Sequence, residues 1–183
     1  MITVKPFING RFIDSASDRF NKIFDPSTGE QIAQVPVCTA AEVEYAIDCA
    51  KAAYPAWRDT PLRKRMQLML KLRELIVLNM EELTLLCAKE NGKVLAEAAG
   101  DVGKALEMTE LAAGAMQHLM GDSLMNTSSG YDTVTYREPL GVFAGIAPWN
   151  FPAMIPVGWM APLCIVCGNT FVLKPASTTP MTS

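Results

Sequence analysis

Hydrophobic and polar positions alternate in short bursts at the start of the chain and then settle into a helical period. Phe7-Ile8 and Arg11-Phe12-Ile13 flank Asn9-Gly10, a dipeptide suited to a type I′ hairpin because both residues tolerate positive φ. The cluster Asp25-Pro26-Ser27-Thr28-Gly29 marks a second turn, and residues 31–35 alternate as a strand. Thr39 followed by Glu42 forms a capping box, which predicts a helix over 40–54. Thr60-Pro61 reads as a cap followed by proline at the first helical position. Beyond it, Leu62, Met66, Met69, Ile76 and Met80 mark one apolar face, widened by Leu68, Leu72 and Leu75. A further helix is predicted over 81–91, ended by Gly92 as a left-handed cap. A longer one is predicted over 94–120 and stops at Gly121. Its internal Gly100, Gly103 and Gly114 weaken it and suit close helix packing or approach of a cofactor.

The pattern then changes. Residues 132–137 are polar and β-branched, alternating like an exposed strand. Residues 141–173 carry no charge, which raises the question of a membrane span. Pro148, Pro152, Pro156 and Pro162 interrupt any single continuous helix there, whereas strands covered on both faces also read as apolar runs. The stretch is therefore read as a buried strand over 142–147, a helix over 156–167 kinked at Pro162, a turn at Gly168-Asn169 and a strand over 170–173. That is a βαβ unit with parallel strands, and the fold class is α/β. Thr179-Pro180 announces another helix immediately before Ser183, which suggests a truncated chain.

Composition narrows the function classes. Sixteen Lys and Arg against nineteen Asp and Glu give a formal charge of −3 over 183 residues, without the basic stripe of a nucleic-acid-binding module. Five cysteines lack framework spacing, and the N-terminus has no secretory pattern, so the reading is a reduced, cytoplasmic globular protein. Cys164 and Cys167 form a lone C-x-x-C inside an apolar helix and are read as core residues rather than metal ligands. No metal site is expected, and the single His118 is read as structural.

Two polar residues fall where an open parallel sheet binds ligands, beyond the carboxyl ends of its strands. Asn150 follows the first strand of the βαβ unit between Pro148-Trp149 and Phe151-Pro152; Lys174 follows the second. A proline-flanked amide is preorganised to donate to a developing oxyanion. By composition alone Asn150 reads rather as a turn residue capping the next helix, and Lys174 as a charge marking the strand's exit.

These segments carry a resemblance. Gly145-Ile146-Ala147-Pro148-Trp149-Asn150-Phe151-Pro152 and Gly168-Asn169-Thr170-Phe171-Val172-Leu173-Lys174-Pro175-Ala176-Ser177 resemble the cofactor-binding core of the aldehyde dehydrogenase superfamily. Phe7-Ile8-Asn9-Gly10, Asp25-Pro26-Ser27-Thr28-Gly29 and Glu90-Asn91-Gly92-Lys93 extend the resemblance over essentially the whole chain. Ala112-Ala113-Gly114-Ala115 followed by Met120-Gly121-Asp122-Ser123-Leu124 is most similar to the methylmalonate-semialdehyde dehydrogenase branch, whose members acylate coenzyme A. The resemblance implies an aldehyde dehydrogenase-like fold in which residues 1–183 form part of the Rossmann-like NAD(P)-binding domain. Residues 122–139 would belong to the oligomerisation flap of a homo-oligomer, and the catalytic domain would be absent.

It also implies roles. Asn150 would be the oxyanion-hole amide, Lys174 would hydrogen-bond the adenosine ribose of the nicotinamide cofactor, and Ile146, Ala147, Pro148 and Trp149 would line the cofactor cleft. Three departures qualify this. Most members carry an acidic residue where Ser177 stands, so NADP is expected to be accepted alongside NAD. The branch places an arginine at the position of Lys104, where it pairs with the substrate carboxylate; lysine keeps the charge but loses the bidentate fork. The family's nucleophilic cysteine and general-base glutamate lie downstream of Ser183, so this chain alone is expected to be inactive. The whole protein would be an oxidoreductase for a small acidic semialdehyde, with NAD or NADP and with coenzyme A as a candidate co-substrate. The alternatives are a succinate-semialdehyde-type enzyme, or a truncated module that binds nucleotide or associates with other subunits.

Overall fold

A computed structural model describes all residues, 1–183. Three short strands, β1 (Ile2–Thr3), β4 (Phe20–Phe24) and β5 (Gln31–Pro36), form a sheet in the order β1-β5-β4, parallel on one side of β5 and antiparallel on the other. Strands β2 (Phe7–Ile8) and β3 (Arg11–Phe12) make the expected hairpin, with Asn9 at φ 52° and Gly10 at 73°. Strands β1 and β4 escape the alternation pattern because only Ile23 among their residues is buried.

Helices α1 (Ala40–Arg58), α2 (Leu62–Leu78), α3 (Met80–Asn91) and α4 (Leu95–Ala113) follow. The capping box forms as read: Glu42 N–H donates to Thr39 Oγ1 at 3.3 Å, and Thr39 N–H donates to Glu42 Oε2 at 2.6 Å. α1 runs a turn past its expected end, through Pro55, because its last turn is tied to the rest of the molecule. Tyr54 Oη donates to Pro139 O at 2.9 Å and Trp57 Nε1 to Ile165 O at 2.9 Å. Thr60 does not cap α2. Its hydroxyl closes α1 instead, donating to Ala56 O at 2.9 Å, and Pro61 occupies the cap position. On α2 the expected stripe is narrower than its sequence suggests: Met69 and Ile76 are buried, while Leu68 and Leu75 are exposed.

The long helix expected over 94–120 is broken at Gly114, which leaves a short α5 (Met116–Leu119). Ala113 and Ala115 both enter the cluster around Met69 and Val166. Residues two apart point to different faces of a helix, so burying both requires the break. Gly100 and Gly103 face open space, so close packing does not explain them.

Strands β6 (Ser123–Ser128) and β7 (Tyr131–Val134) form an antiparallel hairpin in which every residue is exposed. The expected strand over 132–137 is thus shorter and has an unforeseen partner. The uncharged run then forms β8 (Val142–Ile146), a π-helical turn (Met154–Met160), α6 (Ala161–Val166) and β9 (Thr170–Lys174). β8 and β9 pair in parallel, completing the βαβ unit. The expected kink at Pro162 is instead a change from π to α winding, with Pro162 in the first turn of α6, where its missing N–H costs nothing. β8 is not buried as expected: four of its five residues are exposed, because no third strand covers its free edge. No helix is long and apolar enough to cross a membrane.

α4 is the centre of the packing. Its small residues Val102 and Ala105 join Ile76 of α2 and Ala153 in one buried cluster. A Cβ on Gly158 would lie 2.9 Å from Ala105 Cα, so only glycine lets the π-helical turn approach α4 this closely. Gly158→Ala is expected to destabilise the chain by about 1–3 kcal/mol, the usual cost of overpacking, measured as a lower urea midpoint.

Candidate active site

The parallel register brings the chemistry of the uncharged run to one edge. Ile146 is the register partner of Lys174, and Ala147 N–H donates to Lys174 O at 3.0 Å. The chain leaves β8 as Pro148-Trp149-Asn150, all exposed, while Lys174 leaves β9 beside them. Lys174 Nζ donates to Ser177 Oγ at 3.2 Å, so the ammonium and the hydroxyl expected to meet the cofactor ribose are neighbours. Ala147 is buried and Ile146 is exposed. Six of the site residues expected from sequence, 146–149, 174 and 177, therefore gather at the carboxyl ends of two adjacent strands, with Asn150 on the bend that follows.

Lys104 stands apart from these contacts. It lies on the exposed face of α4 with Nζ 2.6 Å from Glu107 Oε2, an i,i+3 ion pair. The Thr179 hydroxyl donates to Trp149 O at 3.3 Å, which spends it on the bend rather than on a cap.

The bend is held from several sides by residues that sequence reading did not assign to it. Asn91 Nδ2 donates to Trp149 O at 2.8 Å. Lys93 Nζ lies 4.1 Å from the centroid of the Phe151 ring and 3.0 Å from Asp101 Oδ2. Asp101 Oδ1 accepts the Met154 N–H at 2.7 Å. The sequence signal for Asp101 is an acid on the apolar stripe of α4, beside Ala98, Val102 and Ala105.

Glu90 is buried at the end of α3, where its carboxyl accepts Met181 N–H at 2.7 Å, Thr182 N–H at 2.8 Å and the Thr182 hydroxyl. Burial pushes its pKa up, against the lowering effect of those three donors. A raised folded pKa contributes stability below the ordinary glutamate value, and that contribution is lost as pH rises through the folded value. Wild-type stability is therefore expected to fall relative to Glu90→Gln as pH rises above the ordinary glutamate range, read as the difference in urea midpoints.

Four of the thiols are poor nucleophiles. Burial pushes Cys87 up to about 12 and Cys164 to about 11, and it also raises Cys167 and Cys38. Cys164 is half-buried on α6, Cys167 at its C-terminal end is half-buried against the cluster around Met69 and Val166, and His118 is exposed on α5.

Residues 12–183 match the Aldehyde dehydrogenase family. The chain belongs to that family. Among its relatives, the human mitochondrial methylmalonate-semialdehyde/malonate-semialdehyde dehydrogenase [acylating] is 46% identical over 178 residues, 97% of this chain and 33% of that protein. The malonate-semialdehyde dehydrogenase of Lacticaseibacillus casei is 41% identical over 181 residues, 99% of this chain and 37% of that protein. The crystal structure of methylmalonate-semialdehyde dehydrogenase from Oceanimonas doudoroffii superposes with a TM-score of 0.95 at 39% identity, over 100% of this chain and 37% of that one. A methylmalonate-semialdehyde dehydrogenase structure from Sinorhizobium meliloti 1021, complexed with NAD, also gives a TM-score of 0.95, at 36% identity over 100% of this chain and 37% of that one. This aldehyde dehydrogenase chain thus spans about a third of the length of the relatives it matches. Its α/β architecture corresponds to the N-terminal part of theirs, including the Rossmann-like nucleotide-binding region.

Proposed function

We propose that residues 1–183 supply one wall of the cofactor cleft and the oxyanion amide of an NAD(P)-dependent dehydrogenase for small acidic semialdehydes, of the methylmalonate- or malonate-semialdehyde kind. The observation that carries this reading is the shared edge, where an exposed carboxamide on a braced bend follows the strand paired with the one that delivers Lys174 and Ser177. A nicotinamide cofactor suits the residues present. Lys174 offers an ammonium and Ser177 a hydroxyl to the adenosine ribose, and Ile146, Ala147, Pro148 and Trp149 give an apolar flank. Serine at 177 leaves no carboxylate to repel a 2′-phosphate, so NADP is accepted alongside NAD. When bound, the cofactor supplies the hydride acceptor.

The chain's own part in the chemistry is electrostatic. As a thiolate attacks the aldehyde carbon, the carbonyl oxygen gains negative charge, and Asn150 Nδ2 donates a hydrogen bond to it. The raised thiols of Cys87, Cys164, Cys167 and Cys38 suit none of the four to the nucleophile's role. Lys104 meets the substrate carboxylate by exchanging its Glu107 partner for it. The acyl group passes to coenzyme A in the acylating version of this reading and to water otherwise. The fully exposed β6–β7 hairpin is the flap through which the enzyme forms a homo-oligomer.

The test is turnover by the complete enzyme. Malonate, methylmalonate and succinate semialdehydes are supplied with NAD or NADP, with and without coenzyme A, and reduced cofactor and acyl-coenzyme A are quantified. The expected result is reduced cofactor with either nucleotide and an acyl-coenzyme A product from the malonate-type substrates. Preference for succinate semialdehyde would favour the lysine at 104 as a marker of a different substrate, and no turnover of any of the three would overturn the reading.

A further inference from the structure

We infer that Lys93 and Asp101 form a positioning pair that fixes the Asn150 bend from beneath, an inference that rests on the proposed role of Asn150. Gly92 ends α3 with φ 80°, a left-handed cap that launches Lys93 out of the helix. From there its ammonium reaches two targets at once, the Phe151 ring at 4.1 Å and Asp101 Oδ2 at 3.0 Å. The Asp101 side chain is fully buried, and its other oxygen accepts the Met154 N–H at 2.7 Å. Asn91, two residues before Lys93, holds Trp149 O at 2.8 Å. The residues before and after Asn150 are therefore each gripped by α3 and its cap, and the turn beyond is gripped by α4. Asn150 itself is left exposed between the grips.

Stability alone is a weak reason for this arrangement. Desolvating a carboxylate and an ammonium commonly offsets their attraction, and apolar residues of similar volume often stabilise as well or better. What an ion pair adds is direction. The negative charge on Asp101 strengthens its bond to the Met154 N–H, and the positive charge on Lys93 is attracted to the face of the Phe151 ring. Both forces act on the segment that carries the oxyanion donor, and donors aimed at a reacting atom lose rate steeply when displaced. Lys93 and Asp101 touch neither substrate nor cofactor in this account; they act through the backbone of residues 149–154.

The test uses Lys93→Met, Asp101→Asn and Lys93→Arg in the complete enzyme, together with amide hydrogen exchange at Met154. Lys93→Met and Asp101→Asn are expected to lower kcat about ten- to a hundredfold, with the cofactor dissociation constant changed less than about twofold. Met154 exchange should accelerate in Lys93→Met, and Lys93→Arg, which keeps the charge and the ring contact, should recover most of both losses. Unchanged Met154 protection in Lys93→Met would overturn the pair whether or not the protein oxidises any aldehyde. So would kcat and cofactor affinity falling together with the melting temperature, the signature of a merely structural role. A wild-type enzyme that turns over no semialdehyde would instead defeat the proposed function, and Met154 exchange would still judge the pair.

Discussion

Asn150→Ala in the complete enzyme is expected to lower kcat by about 10²–10³-fold, the usual cost of removing one oxyanion donor. The cofactor dissociation constant should not move, because the expected cofactor contacts come from Lys174, Ser177 and the flank at 146–149. The fold should also survive, since Asn150 is exposed and the bend is braced through Trp149 O, the Phe151 ring and the Met154 N–H. The measurement is steady-state kinetics with a semialdehyde, paired with cofactor titration by fluorescence. A loss of cofactor affinity equal to the loss of kcat would assign Asn150 to the cleft wall rather than to the oxyanion.

Ser177→Glu is expected to weaken NADP on the order of 10²-fold while leaving NAD within about threefold, because placing like charges together costs several kcal/mol. Ser177 sits 3.2 Å from Lys174 Nζ, so a carboxylate there would also pair with the ammonium expected to meet the ribose. That pairing keeps the ribose hydroxyls served and adds the repulsion that a 2′-phosphate would meet. Calorimetric titration of both nucleotides against both proteins gives the answer. A wild-type enzyme that binds only NAD would show that serine at this position is not what governs the choice.

Local chemistry was legible wherever short-range rules were free to act. The Asn9-Gly10 turn, the Thr39–Glu42 capping box and the Gly92 cap all formed as their sequences imply. The βαβ unit was legible because its two strands are separated by a crossover of the right length. Failures occurred where distant contacts redirected a local signal. Thr60 looks like the cap of α2, yet its hydroxyl is taken by Ala56 O. Gly114 breaks a helix that the apolar period would continue, because Ala113 and Ala115 must both reach the core around Met69. β8 reads as buried from its residues alone, but the sheet it belongs to has two strands.

The site divides in the same way. Asn150 and Lys174 were visible as polar residues at strand ends, a position that topology makes meaningful, whereas Ser177 came in only with the family resemblance. Lys104 was visible only through family resemblance, and its ion pair with Glu107 on the exposed face of α4 does not by itself connect it to the bend. Asn91 and Lys93 stood in a segment of the resemblance with no role assigned, and Asp101 was not singled out, because their partners on the bend lie about 50 to 60 residues away in sequence. An acid in the middle of a small-residue stripe was the one available hint.

The most direct measurement is a crystal structure of the complete enzyme with NAD bound. An adenosine ribose hydroxyl is expected within hydrogen-bonding distance of Lys174 Nζ, with the nicotinamide alongside Pro148, Trp149 and Asn150. A cofactor seated on another face, with Lys174 and Asn150 both untouched, would contradict it.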